Sequence, residues 1–272
     1  MTAKVGAAPA AAVIVRPMAA RNWTLGIASV SPLACALLSC ALAGGCIGVS
    51  QRRSAGNGVV GGNVADLTVC RTGLRAAADG AVDDFEDGNA QINLEGGREG
   101  SWWQAKDEKG STIGPSPFAP SEGGGSGSEL ALHAEGVTVP GNTADGFWGA
   151  EFGFNFLGKG AYNASKYVGI AFRARIGGGT ARTVRFNIGD INTHKDGNIC
   201  QTCWNHFGKG VTLTPEWKEY RILFTDLRQE EYWGNPRPPA ITPSQLFNSE
   251  FKVGPGQTFD VWIDDLQLLA CK

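Results

Sequence analysis

An all-β domain of two antiparallel sheets packed face to face is the fold this sequence predicts, and three observations predict it. The 39 glycines among 272 residues are about twice the roughly 7% share of an average protein, which asks for many turns and few helices. From Val82 onward apolar residues alternate with polar ones in short runs separated by turn residues, the period of a strand with one dry and one wet face. After the N-terminal region no segment demands a helix longer than a turn or two. A jelly roll is the economical way to close so many short strands.

The chain begins with an address. Between Arg21 and Arg52 no residue is charged, and Trp23 to Leu42 is mostly Leu, Ala, Ile and Val after the basic Arg16 and Arg21, the pattern of a secretory signal. Met18 opens a second, compact start of the same kind. An uncleaved span would also be long enough, but Pro32 and several serines and glycines weaken it as a permanent helix. Small residues lead into cysteine at Cys40 and again at Cys46, similar to the lipobox of bacterial lipoproteins. A cut before Cys46 leaves Cys70, Cys200, Cys203 and Cys271, an even set suited to an oxidising compartment, whereas a cut before Cys40 leaves Cys46 over. Residues 1–45 are therefore expected to be a signal peptide and Cys46 the lipidated residue. The setting expected is extracytoplasmic, on a bacterial outer membrane, touching it through the lipid anchor alone. Residues 46–81 are small and polar and read as a flexible linker; residues 82–272 read as one domain, expected to be monomeric.

Within the domain the strands follow in order. Trp102 and Trp103 must face opposite ways in a strand, one into the core and one available, and parity does not say which. Phe152, Phe154 and Phe156 form a dry face, as do Ile170, Phe172 and Ala174, then Val184, Phe186 and Ile188, then Tyr220, Ile222 and Phe224, and last Phe259, Val261 and Ile263. Residues 115–128, rich in Pro, Gly and Ser, read as loop, and Gly177-Gly178-Gly179 as a turn. Asp264-Asp265 interrupts the last alternation and predicts a bulge. The wet faces carry Arg173 and Arg175, Arg185 and Asn187, and Trp262.

The segment from His194 to Phe207 gathers Cys200, Cys203, Trp204, His194 and His206. Three readings compete: a loop stapled by a Cys200–Cys203 disulfide that presents Trp204 and His206 to a ligand, a stapled loop that is merely structural, and a zinc site. Metal ranks last because the thiolates oxidise outside the cytoplasm. Cys70 and Cys271 flank the domain and would bridge if the entering chain runs beside the last strand.

Net charge is −2 with no single-sign block, so a nucleic-acid partner is not expected. There is no Gly-x-Ser-x-Gly elbow, no His-Glu-x-x-His, no phosphate loop and no cofactor fingerprint. Carboxylates such as Asp107, Glu122, Glu151 and Asp190 exist, but nothing in the sequence pairs them across a cleft, so an enzyme is not expected.

The opening Asp83-Asp84-Phe85-Glu86-Asp87-Gly88, the Gly100-Ser-Trp-Trp stretch with Asp107, the run from Tyr162 to Arg175 and the ending Phe259-Asp-Val-Trp-Ile-Asp-Asp-Leu-Gln-Leu resemble the carbohydrate-binding jelly rolls of the galactose-binding-like superfamily. They are similar to family 11 carbohydrate-binding modules and to modules found as lipoproteins in myxobacteria. Asn163 stands where that pattern usually has aspartate. The resemblance implies non-catalytic binding of a polysaccharide or oligosaccharide, β-glucan or a related glycan. Trp103, Arg173, Arg185, Asn187, Trp204, His206 and Trp262 are the candidate contacts, because flat aromatics beside fixed polar groups suit pyranose rings and hydroxyls. It also implies a structural calcium ion between the first and last strands, for which Asp84, Glu86 and Asp265 are the candidate ligands. The alternatives are a glycan hydrolase and a surface module for adhesion or protein interaction, with a glycanase or a surface protein as partner.

Overall fold

The computed structural model describes residue 70, residues 73–125 and residues 127–272. The expected signal peptide, Met18, Cys40, Cys46 and most of the expected linker lie outside the described residues.

Among the described residues twelve strands make two antiparallel sheets: β1 (Leu74–Asp83), β2 (Trp102–Lys106), β3 (Thr112–Gly114), β4 (Ser121–Glu122), β5 (Leu130–Val137), β6 (Ala150–Asn155), β7 (Gly169–Gly179), β8 (Thr183–Asp190), β9 (Phe207–Thr212), β10 (Lys218–Leu223), β11 (Leu246–Val253) and β12 (Thr258–Cys271). The first sheet runs β10-β7-β12-β5-β3, with β1 added to β12 and β4 to β5; the second runs β2-β6-β11-β8-β9. The order is a jelly-roll sandwich. Among the described residues the only helices are single 3-10 turns, and none is long and apolar enough to cross a membrane.

The alternating aromatics meet between the sheets. Phe172 of β7 reaches across to Phe251 of β11, ring centroids 5.0 Å apart and edge to face, and to Phe186 of β8 at 5.4 Å. Phe152, Phe154 and Phe156 are equally buried. Of the two neighbouring tryptophans, Trp102 points inward and donates its indole N–H to Asp83 Oδ2 at 2.6 Å.

Three features differ from the sequence reading. The first strand starts at Leu74, inside the segment read as linker, because residues 74–76 pair with 269–271 at the end of β12 and Cys70 is bonded to Cys271 across a Cα separation of 4.8 Å. Gly177, Gly178 and Gly179 are not the turn but the end of β7, with Gly178 opposite Asp260 and Gly179 opposite Phe259. A Cβ on Gly177 would lie 2.3 Å from the Asp260 carboxylate, so glycine is needed there for close approach, and the turn falls at residues 180–182. The 115–128 stretch holds the short β4. The bulge at Asp264-Asp265 is present: the β12–β7 register shifts between Asp264 and Gln267 and Asp265 is left-handed at φ 49°.

Candidate functional site

The outer face of the second sheet is a lattice set by strand register. One row crosses Ala105, Glu151, Lys252, Arg185 and Gly210; the next crosses Trp103, Gly153, Glu250, Asn187 and Gly208. Ala105, Gly153, Gly208 and Gly210 leave space beside the long polar side chains of these rows. Three loops wall this space. The resulting groove encloses about 690 Å³, with Glu151, Glu250 and Lys252 on its floor and Trp148, Trp204, His206, Glu230 and Trp233 around it.

Each wall is held by local chemistry. The Trp148 loop starts with Asn142 capping the backbone of Ala144 at 2.9 Å and ends at Gly149, whose φ of 95° and close approach to the Val253 carbonyl both require glycine. Asp107 accepts from the Gly149 N–H at 2.9 Å. On the opposite side the Cys200–Cys203 disulfide closes a tight loop with S–S 1.99 Å, so both thiolates that zinc would need are consumed. Trp204 follows it in a left-handed conformation, φ 76°. That is strained backbone for a bulky residue. It is held there by its N–H donating to the Thr193 carbonyl at 2.9 Å and by the edge-to-face His194 ring at 5.1 Å. It remains 52% exposed. The third wall, residues 228–236, is tied to the second through buried Asn205. This side chain accepts from the Glu230 N–H and donates to the carbonyls of Glu230 and Trp233.

The floor concentrates buried charge. Glu250 accepts from Asn187 Nδ2 and from Asn248 Nδ2, one on each carboxylate oxygen, both at 3.0 Å. Burial pushes its pKa up against those hydrogen bonds. The Glu151 side chain takes no hydrogen bond among the described residues; burial, and then the Glu250 charge, push it up to about 8. His206 is fully buried with Nδ1 2.9 Å from Thr193 Oγ1, and burial pushes it down to about 3, keeping the ring neutral.

Of the residues expected from sequence, Trp204 and His206 line the groove. Asn187 is on the expected face but is buried, supporting Glu250 rather than facing solvent. Arg185 braces the third wall, with Nε 3.6 Å from Glu230 and Nη2 donating to the Arg228 carbonyl. Trp103 shares the face and donates to Asn155 Oδ1 at 3.2 Å. Arg173 and Trp262 are not in the groove: they belong to β7 and β12 of the other sheet, and an outward parity exists on both sheets. Trp262 has no free face for a sugar, since His133 stacks on one side at 3.9 Å and the Arg175 guanidinium lies 4.4 Å over the ring. Sequence reasoning missed Trp148, Trp233, Glu230, Glu250 and Lys252. A usable signal was present in Trp148-Gly149 and Trp233-Gly234, tryptophans beside glycines in loops.

The expected calcium ligands are not gathered at one point. Asp84 and Asp265 line a second cavity of about 370 Å³, where Asp265 faces Arg173 at 3.7 Å. Glu86 turns away, its Oε1 accepting from Ser128 Oγ and from the N–H groups of Glu129 and Leu130 at 2.7–3.0 Å. Among the described residues no group of three or more His, Cys, Asp or Glu side chains is placed to hold a metal ion.

No protein-family model matches this chain, and no curated protein matches it. Among solved structures the chain is similar to the family 11 carbohydrate-binding module of cellulosomal cellulase Lic26A-Cel5E of Clostridium thermocellum, at 13% identity and a TM-score of 0.48, covering 71% of this chain and 95% of that one. It is similar to the family 11 module from Clostridium thermocellum in complex with a β-1,3-1,4-mixed-linked tetrasaccharide, at 16% identity and a TM-score of 0.48, covering 72% and 98%. A family 30 carbohydrate-binding module aligns at 13% identity and a TM-score of 0.48, covering 75% and 90%.

Proposed function

We propose that the chain binds a polysaccharide or oligosaccharide along the groove of the second sheet without cleaving it. The observation that carries this reading is the convergence of Trp148, Trp204 and Trp233, from three separate loops, on one cavity floored by Glu151, Glu250 and Lys252. Flat rings at the walls suit the apolar faces of pyranoses, and fixed polar groups beneath them suit hydroxyls. Anchoring at Cys46 in an extracytoplasmic setting belongs to the same proposal; two disulfides among the described residues suit an oxidising compartment.

The test is calorimetric titration against a panel of soluble glycans, with reducing ends assayed in parallel. Saturable binding with no reducing ends released is the expected result. Trp204→Ala and Trp233→Ala are each expected to weaken it by at least about 0.5–1.5 kcal/mol, the stacking contribution beyond area burial, with melting temperature little changed. Absence of binding to every glycan would overturn the reading. The pairing of Glu151 with Glu250 favours one second reading, hydrolysis by two carboxyl groups, and released reducing ends that vanish in Glu151→Gln would establish it instead.

A further inference from the structure

The groove carries more acid than its cations answer. Five charged side chains face it or brace it: Glu151 from β6, Glu250 and Lys252 from β11, Arg185 from β8, and Glu230 from the 228–236 loop. Arg185 is committed to Glu230 and to the Arg228 carbonyl. Lys252 acts on both Glu151 and Glu250, with Arg185 a weaker influence on Glu250; the Lys252 ammonium lies 6.0 Å from the Trp148 ring and makes no ion pair with either glutamate among the described residues. Register puts Lys252 opposite Glu151 and Gly153 opposite Glu250, so the two glutamates are diagonal neighbours on one face, about 7–8 Å apart at the backbone and within reach of each other at their ends. Glu250 is held by neutral amides, which satisfy its oxygens without cancelling its charge.

A second, independent feature points the same way. Thr193 has one hydroxyl hydrogen, and Asp190 Oδ1 accepts it at 3.1 Å. The 2.9 Å contact between Thr193 Oγ1 and His206 Nδ1 therefore has the histidine as donor, which leaves Nε2 with a lone pair. His206 lines the groove, is 2% exposed and has no hydrogen-bond partner at Nε2 among the described residues. A buried acceptor without a donor is costly. The groove thus holds two adjacent carboxyl groups that burial keeps above the ordinary carboxylate range, beside an unpartnered ring nitrogen, and a ligand that complements them brings a cation that lets the carboxyls ionise, on a ring flat enough for the tryptophans.

We propose, resting on the glycan-binding reading above, that the glycan is an amine-bearing one, a polymer of free amino sugars whose ammonium group sits between Glu151 and Glu250. An ammonium supplies three donors and a full charge where a hydroxyl supplies one donor and none. A uronic-acid polymer brings further acid and no cation to the same two carboxyl groups and is disfavoured.

The test is titration of the full chain with glucosamine oligomers, N-acetylglucosamine oligomers and neutral β-glucan oligomers of equal length, at a pH where the amine is charged. The expected result is at least tenfold tighter binding of the glucosamine oligomer. That preference should shrink several-fold between about 0.05 M and 0.5 M salt, as screening requires. Glu151→Gln, which is isosteric, should collapse the ratio of glucosamine-oligomer to acetylated-oligomer affinity at least tenfold, both affinities being read in the same variant. Equal or tighter binding of the neutral or acetylated oligomers overturns the inference and leaves glycan binding standing, as does a preference that survives both Glu151→Gln and Glu250→Gln. Competition by millimolar calcium against the glucosamine oligomer, with no effect on the acetylated one, would also overturn it by assigning the two carboxylates to a metal. Failure of all three oligomers to bind would remove the glycan reading itself.

Discussion

Asp83 sits at the end of β1 with one oxygen accepting from the Phe85 N–H at 2.8 Å and the other from the Trp102 indole at 2.6 Å. Burial pushes its pKa up to about 7, against about 3.9 in an unfolded chain. Between those values the folded state holds a proton that the unfolded state has lost, so this group's contribution to stability is full at low pH and falls as pH rises from about 4 to about 7. Thermal melts across that range are expected to show Asp83→Asn with a flatter dependence than the wild type; an unchanged slope would place the titration elsewhere. Trp204 shows the other residue-scale principle, a side chain displayed at the cost of strained backbone. The neighbouring disulfide and the Thr193 hydrogen bond hold it there, so the loop is ordered before a ligand arrives.

At the scale of elements, β11 is the most instructive strand. Its sequence Leu-Phe-Asn-Ser-Glu-Phe-Lys-Val lacks clean alternation, and it is buried along nearly its whole length, because it is the central strand of its sheet and the groove loops cover its outer face. A strand covered on both sides has no wet parity to read. Its polar residues are consequently buried with partners, and Asn187→Ala, which strips one amide from Glu250, is expected to cost about 1.5–3 kcal/mol in denaturant unfolding, the usual value for a hydrogen bond to a charged group. The other element with a calculable role is the Cys70–Cys271 bridge, which ties β1 to β12 across a sequence separation of 201. Replacing both cysteines with serine is expected to lower stability by as much as ~4–5 kcal/mol in the chain-entropy account, read as a shift in the urea midpoint.

At the scale of the whole molecule the two sheets are joined by aromatic contacts, with Phe172 meeting Phe186 and Phe251 from the opposite sheet. Phe172→Ala is expected to cost about 3–5 kcal/mol, transfer and cavity together, and to loosen the groove floor because Phe251 lies between Glu250 and Lys252. A loss under about 1 kcal/mol would mean that the inter-sheet core repacks around the gap. The outer faces of the two sheets have separate fates. On the first, stacked side chains fill the surface around Trp262, with Arg175 and His133 against its ring, whereas on the second the walling loops cover the sheet except for the groove between them.

Much of this was legible in the chain alone. Alternation at Phe152 to Phe156, Ile170 to Ala174, Val184 to Ile188 and Phe259 to Ile263 determined the strands and their dry faces, because a period of two follows from backbone geometry. The even cysteine set led to both disulfides, and the stapled loop led to Trp204 and His206. Tertiary structure decided the rest. Parity says whether a residue points inward or outward, but a sandwich has two outward faces, and only the pairing order of strands placed Arg185 with the groove and Arg173 and Trp262 away from it. Trp148 lies 85 residues before Trp233 and 102 before Glu250, and the three meet because β6 and β11 are neighbours and the loops beyond them fold over one face. Short-range pattern carries no information about that meeting; it is fixed when the sheets close on their shared core.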